Sequence, residues 1–153
     1  MEDSTSADRK DEARKVCLPL FQRNVDRPVV RLVRINSPRS DEGIRDILAI
    51  RQLEAAPDGV VIPKVTSANE VQWVSGILAP HHPDLELVVL IENQKGLENA
   101  RAIAKAAPQV STLFLGYADF SGEIGSDFSL NSLQHMRSRI IMAASEAGID
   151  AMD

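Results

Sequence analysis

Apolar positions along the chain follow two alternating spacings. Short β-branched runs recur at 29–36, 59–63, 85–91, 111–115 and 149–152, each the length of a strand. The stretches between them carry apolar residues at helical spacing. Within 41–56, Ile44, Ile47, Leu48 and Leu53 share a helical face behind Ser40, a good N-cap, with Asp41 and Glu42 on the positive end of the helix dipole. Ser67 and Glu70 read as a capping box opening a helix through Val71, Val74 and Leu78. A small-residue helix is predicted over 96–107. Leu130, Leu133, Met136, Ile140 and Ala144 line a long final helix stopped by Gly148. An opening helix over 7–21 and a turn at Asp26-Arg27-Pro28 precede the first strand. Strands alternating with helices predict βαβ units, hence a parallel sheet with right-handed crossovers.

The polar residues fall in a pattern on this scaffold. Arg34 and Asn36 close the first strand, Lys64 follows the second, Glu92 ends the third and Asp119 follows the fourth. In parallel α/β folds the carboxyl ends of the strands form the working face. Glu92 directly follows Leu87-Val88-Val89-Leu90-Ile91, which places it at the mouth of the core. Two carboxylates converging there would suit Mg²⁺, which takes one or two carboxylates and completes its octahedron with water and substrate oxygens. Taken singly, each residue has a plainer reading: Glu92 as a loop acid, Asp119 as a turn cap, Arg34 as a salt-bridged strand residue, Lys64 as a surface lysine. His81-His82, between prolines, reads as exposed loop rather than as a metal pair, and no glycine-rich phosphate loop follows any strand.

Composition narrows the function. The 153 residues are 44% hydrophobic and 25% charged, enough for one sizeable core and too few for two. With 22 acids against 17 bases and 4% aromatics, the chain lacks the basic face and stacking platforms that nucleic acids require. No apolar run reaches the roughly 18 residues needed to span a bilayer. Cys17 is the single cysteine, which rules out a disulfide framework and suits a cytoplasmic location. A small-molecule substrate is the expected partner, with no nucleic acid and no membrane.

Several segments, taken together, resemble one family. Met1-Glu2-Asp3-Ser4 with Lys10 and Ala13-Arg14, Val33-Arg34-Ile35-Asn36, Ile62-Pro63-Lys64-Val65, Leu90-Ile91-Glu92-Asn93 with Gly96 and Asn99-Ala100, and Gly116-Tyr117-Ala118-Asp119-Phe120 with Gly125 occur in order along the chain. Each is similar to a segment of citrate lyase beta-subunit-like proteins of the HpcH/HpaI aldolase and citrate lyase family. The resemblance implies a (β/α)8 TIM barrel and Mg²⁺-dependent carbon–carbon bond cleavage or formation. It implies 2-oxo acids or acyl thioesters such as acyl-CoA as substrates. Carried over, Glu92 and Asp119 are the metal ligands, and Arg34 binds the substrate carboxylate and the developing oxyanion. Glu2 lies beside the metal waters or substrate, and Asn36 and Lys64 contribute to substrate binding. The chemistry is consistent: cleaving a β-hydroxy acid leaves an enolate whose charge needs a Lewis acid and a cation. Thr66 stands where many relatives have glutamate.

An eight-stranded barrel usually takes about 200 residues or more. Four complete strands, with the stump of one before and the start of one after, make residues 1–153 an incomplete barrel, roughly strands two/three to six/seven. We expect a homo-oligomer once the barrel is complete. Two alternatives stand beside this reading: a non-catalytic truncated remnant or accessory subunit that binds metal or acyl-CoA without turnover, and a complete flavodoxin-like open sheet.

Overall fold

A computed structural model describes residues 5–22, 29–127 and 129–153. The turn expected at 26–28 lies outside the described residues. Five strands, β1 (Leu32–Arg34), β2 (Gly59–Ile62), β3 (Glu86–Ile91), β4 (Val110–Leu115) and β5 (Asp150–Met152), form one sheet in the order β1-β2-β3-β4-β5. Every pairing is parallel. Helix α1 (Lys10–Cys17), flanked by 3₁₀ turns at Ala7–Arg9 and Leu18–Gln22, precedes β1. The connections carry α2 (Asp41–Arg51), α3 (Ala68–Leu78), α4 (Gln94–Glu98), α5 (Ala100–Ala104), α6 (Tyr117–Ile124) and α7 (Leu130–Ala147).

This order decides between the α/β architectures. Right-handed crossovers that always step the same way along a sheet place every helix on one face, which is barrel order. A flavodoxin-like sheet must reverse direction at a switch point, as in the order 2-1-3-4-5. Among the described strands no reversal occurs, so the flavodoxin-like reading is overturned. The fold is α/β: an open run of parallel strands in TIM-barrel order, with helices packed outside in succession, α1 on α2, α2 on α3, α3 on α5 and α5 on α7.

Register sorts the side chains onto two faces. Val33, Val60 and Leu87 pair laterally and belong to the main core with Ile62, Val89, Ile91, Leu113 and Leu115, under the helix layer. Ile47 and Ile50 of α2, Val71 and Val74 of α3, Ile103 of α5 and Ile140 of α7 close that core from the other side. Burying an aliphatic side chain of this size stabilises by about 1.5–3 kcal/mol. Side chains alternate across a strand, so the opposite face carries Arg34, Val61 and Val88, paired in the same way, and then Leu90 and Glu92. Val88 and Leu90 are buried as well. That double coverage explains why β3 reads as an unbroken apolar run.

Several local expectations shift. The strand expected over 29–36 is paired only across Leu32–Arg34. The opening helix breaks into α1 and its two 3₁₀ turns. Helix α2 starts under its Ser40 cap as expected, with Gly43 N–H donating to Ser40 Oγ at 3.1 Å. It stops at Arg51, short of Pro57, because Gln52 N–H turns back to Ala49. The expected 96–107 helix divides at Asn99 into α4 and α5, and Asn99 Nδ2 donates to Thr66 O at 2.8 Å. The capping box expected from Ser67 and Glu70 does not form: Glu70 accepts from the backbone N–H of Thr66, one residue before the cap, and from the Thr66 and Ser67 hydroxyls, while Ser67 caps no backbone N–H. At the other end of the chain, Gly148 ends α7 at φ 72°, a left-handed stop that suits glycine. Among the described residues, no helix is long and apolar enough to cross a membrane.

Candidate functional site

Strand β3 delivers Glu92 to the carboxyl edge of the sheet with its side chain 6% exposed. A carboxylate so buried needs hydrogen bonds in place of water. Lys64 provides one: its backbone N–H donates to Glu92 Oε1 at 2.7 Å. To do so, Lys64 adopts φ 58°, the left-handed region that a side chain with a Cβ enters at a cost. Its carbonyl accepts from Arg39 Nη2 at 2.9 Å, so the peptides on both sides of Lys64 are held.

The other side of Glu92 is shaped by Gly116. Ile91 pairs with Leu115 across β3 and β4, which sets Gly116 beside Glu92, and Gly116 N–H donates to Ile91 O at 2.9 Å. A Cβ at position 116 would lie 2.6 Å from Glu92 Cβ and 2.8 Å from Oε2. Glycine is therefore required by the carboxylate's own position. Helix α6 starts immediately afterwards and carries Asp119, exposed, in its first turn. Asn93 caps α4 by accepting from Gly96 N–H at 2.7 Å and donates to Val65 O at 3.2 Å, fastening the loop after β3 to the loop after β2.

These loops enclose an open cleft of about 490 Å³ lined by Arg39, Lys64, Thr66, Glu92, Asn93, Lys95, Asp119 and Glu123. Three cationic and three carboxylate side chains share it. Glu123 is partly committed, since it accepts from Gln94 N–H at 3.0 Å. Among the described residues, no three histidine, cysteine, aspartate or glutamate side chains converge as a ready-made metal cage. Two carboxylates on one open cleft are still a hard-oxygen donor set. That fits Mg²⁺, which keeps several water or substrate oxygens, and does not fit a closed four-ligand zinc site.

The structure thus brings Lys64, Glu92 and Asp119 into one cleft. Arg34 does not line it. Register places Arg34 on the same face of the sheet as Glu92, through Val61 and Val88. Asn36 turns the other way: it is 7% exposed, and its Nδ2 donates to Asp46 at 2.6 Å, which commits that amide to α2. Glu2 lies outside the described residues. His81 and His82 belong to the amino end of β3, where His81 Nε2 accepts from Arg51 Nε at 2.8 Å and a ring nitrogen of His82 meets Ile50 O at 3.0 Å. Thr66 lines the cleft and donates its hydroxyl to Glu70 Oε1 at 2.6 Å, so a carboxylate is still held behind that position.

Sequence reasoning missed Arg39, Lys95, Asn93 and Gly116, and it read the start of α6 as a turn. The Asn93–Gly96 spacing was an available signal, being an N-cap three residues before the amide it caps. The need for glycine at position 116 has no local signature, because the clash comes from another strand.

The HpcH/HpaI aldolase/citrate lyase family matches residues 1–153. Human mitochondrial citramalyl-CoA lyase is 30% identical over 169 residues, covering 99% of this chain and 49% of the relative. RipC from Yersinia pestis superposes with a TM-score of 0.84 at 30% identity, covering 99% of this chain and 66% of that one. CitE from Mycobacterium tuberculosis in complex with magnesium and pyruvate superposes with a TM-score of 0.75 at 27% identity, covering 99% and 62% of the two chains. The chain spans about half the length of the curated relatives it matches.

Proposed function

The chain belongs to the HpcH/HpaI aldolase/citrate lyase family. From that premise we propose that it carries the working face of a Mg²⁺-dependent carbon–carbon lyase, one that cleaves a hydroxy-acyl thioester or a 2-oxo acid aldol. The observation that carries this reading is the shared cleft: buried Glu92 and exposed Asp119 at the carboxyl ends of parallel strands, with Lys64 and Arg39 around them. Residues 1–153 are then part of a TIM-barrel domain, which works as a homo-oligomer in the cytoplasm.

In this reading Glu92 and Asp119 hold the Mg²⁺, which when bound supplies Lewis acidity to the oxygen that becomes negative as the carbon–carbon bond breaks. Lys64 N–H keeps Glu92 in one orientation, so no reorganisation is needed as substrate arrives. Arg34 binds the substrate carboxylate, for which its planar fork offers two parallel hydrogen bonds, and its charge stabilises the enolate oxygen. The ammonium of Lys64 assists in substrate binding, and Glu2 is assigned a catalytic role, whereas Asn36, held by Asp46 behind the sheet, supports the end of β1 instead of meeting substrate. The magnesium and pyruvate bound by the CitE relative, and the thioester named in the human relative, support these two ligand classes.

Calorimetric titration of Mg²⁺ into the chain and its Glu92→Ala and Asp119→Ala variants tests the reading. Each substitution is expected to abolish Mg²⁺ binding, and unchanged affinity in either would remove that residue. Release of acetyl-CoA from citramalyl-CoA or malyl-CoA, or its absence in a Mg²⁺-binding protein, separates the lyase from a non-catalytic accessory role.

A further inference from the structure

One buried acid takes no part in the cleft. Asp46, on α2, is fully buried, and both of its oxygens are occupied. Oδ1 accepts from Arg14 Nη1 at 2.7 Å. Oδ2 accepts from Asn36 N–H at 2.7 Å and from Asn36 Nδ2 at 2.6 Å. Arg14 is itself buried on α1, and its Nη2 donates to Asp11 and Glu42. One carboxylate therefore ties α1, α2 and the exit of β1 together at a single point.

That exit lies two residues beyond Arg34. Ile35 N–H still donates to Val61 O of β2, at 3.2 Å, but the next amide, that of Asn36, goes to Asp46 instead. The direction in which β1 leaves the sheet is thus set by a side chain of the helix layer. We propose that Asp46, braced by Arg14, is a positioning residue that fixes the carboxyl end of β1 and so aims Arg34 at the substrate. This inference rests on Arg34 being the substrate-binding arginine of the proposed function.

Two physical arguments support it. A buried ion pair is a poor source of stability, since apolar residues of the same volume often serve as well or better. Its use here needs another reason, and geometric restraint beside the site is one. Burial also works against the Arg14 charge, yet hydrogen bonds to Asp11, Asp46 and Glu42 hold the guanidinium more firmly charged than in water. The guanidinium therefore stays charged where it donates to Asp46. Misplacing a substrate-positioning group by about 1 Å can cost on the order of 100-fold in rate.

The test uses the full chain with pyruvate as the 2-oxo acid probe at saturating Mg²⁺, and measures Mg²⁺ affinity separately. Circular dichroism selects a temperature at which each variant is folded. Asp46→Asn keeps the shape and loses the charge, and it is expected to weaken pyruvate binding about tenfold or more while Mg²⁺ affinity stays within about twofold. Arg14→Lys keeps the charge and loses the fork, and serves if Asp46→Asn does not fold. Its expected loss of pyruvate affinity is a few-fold, again without loss of Mg²⁺. Pyruvate affinity equal to that of the unmodified chain, in a folded variant, overturns the inference, and so does a parallel loss of both ligands. If the unmodified chain binds neither ligand, the proposed function itself fails and the inference falls with it. If the unmodified chain and the folded variants bind both ligands alike, only the inference fails.

Discussion

Replacing Gly116 with alanine adds one methyl group where the structure has no room for it. The new Cβ would meet Glu92 Cβ at 2.6 Å, Oε2 at 2.8 Å and Leu90 Cδ1 at 3.3 Å. Carbon atoms in contact prefer roughly 3.5–4.0 Å, so about 1 Å of separation must be created. Glu92 has little freedom to yield, because Oε1 is held by the Lys64 amide at 2.7 Å and the carboxylate is buried. Overpacking of this kind costs about 1–3 kcal/mol. For a chain of this size each kcal/mol lowers the melting temperature by roughly 2–4 °C, so a loss of several degrees is expected. The functional loss should be sharper. Metal ligands tolerate displacements of only about 0.2 Å, and we expect Mg²⁺ affinity to fall tenfold or more, about 1.4 kcal/mol. Gly122→Ala is the control: it lies on exposed α6, nothing stands within 4 Å of its Cβ, and alanine is the better helix former. Calorimetric Mg²⁺ titration and thermal melts of the two variants decide the matter. A Gly116→Ala protein that binds Mg²⁺ like the unmodified chain would refute the claim that Glu92 is a ligand oriented by the space at position 116.

Arg34→Lys should keep the charge and lose the fork, so pyruvate affinity falls about tenfold while Mg²⁺ affinity survives; equal pyruvate affinity would take Arg34 out of the site. A pH effect is expected far from the cleft, where Lys105 Nζ donates to Glu146 Oε1 at 2.7 Å and Arg101 lies 3.2 Å from Oε2. The Lys105 hydrogen bond, then the charges of Lys105 and Arg101, hold the Glu146 carboxyl below its ordinary value. A depressed acid contributes stability above its unfolded pKa and loses it as pH falls through the folded one. The difference in melting temperature between the unmodified chain and Glu146→Gln should therefore be present at neutral pH and vanish on acidification below the usual carboxylate range. It should also be small and reduced by salt, since the pair is solvent-exposed. A difference that persists at low pH would argue against the ion pair as its source.

Much of the framework was legible along the chain because it depends on near neighbours. β3 announces itself by an unbroken apolar run, α2 by its Ser40 cap and apolar spacing, and the end of α7 by Gly148. The succession of strands and helices implied a parallel sheet, and the motif order implied the barrel family. Glu92 and Asp119 were legible for the same reason: each follows a recognisable strand, and strand ends in such folds gather at one face. Some errors have distant causes. The break at Asn99 comes with a hydrogen bond to another loop, Asn99 Nδ2 to Thr66 O, which helical spacing does not report.

The sequence by itself determined the class of fold and the placement of Glu92 and Asp119 after their strands, because period, caps and motif order are properties of neighbouring residues. Tertiary structure alone decided that the strands run in order without reversal, that Asn36 serves Asp46 while Lys64 bends into a left-handed turn, and that position 116 must be glycine. Each of these rests on contacts between residues some ten to forty positions apart. Such contacts arise when strands pair and helices pack, and the pattern of a single segment does not contain them.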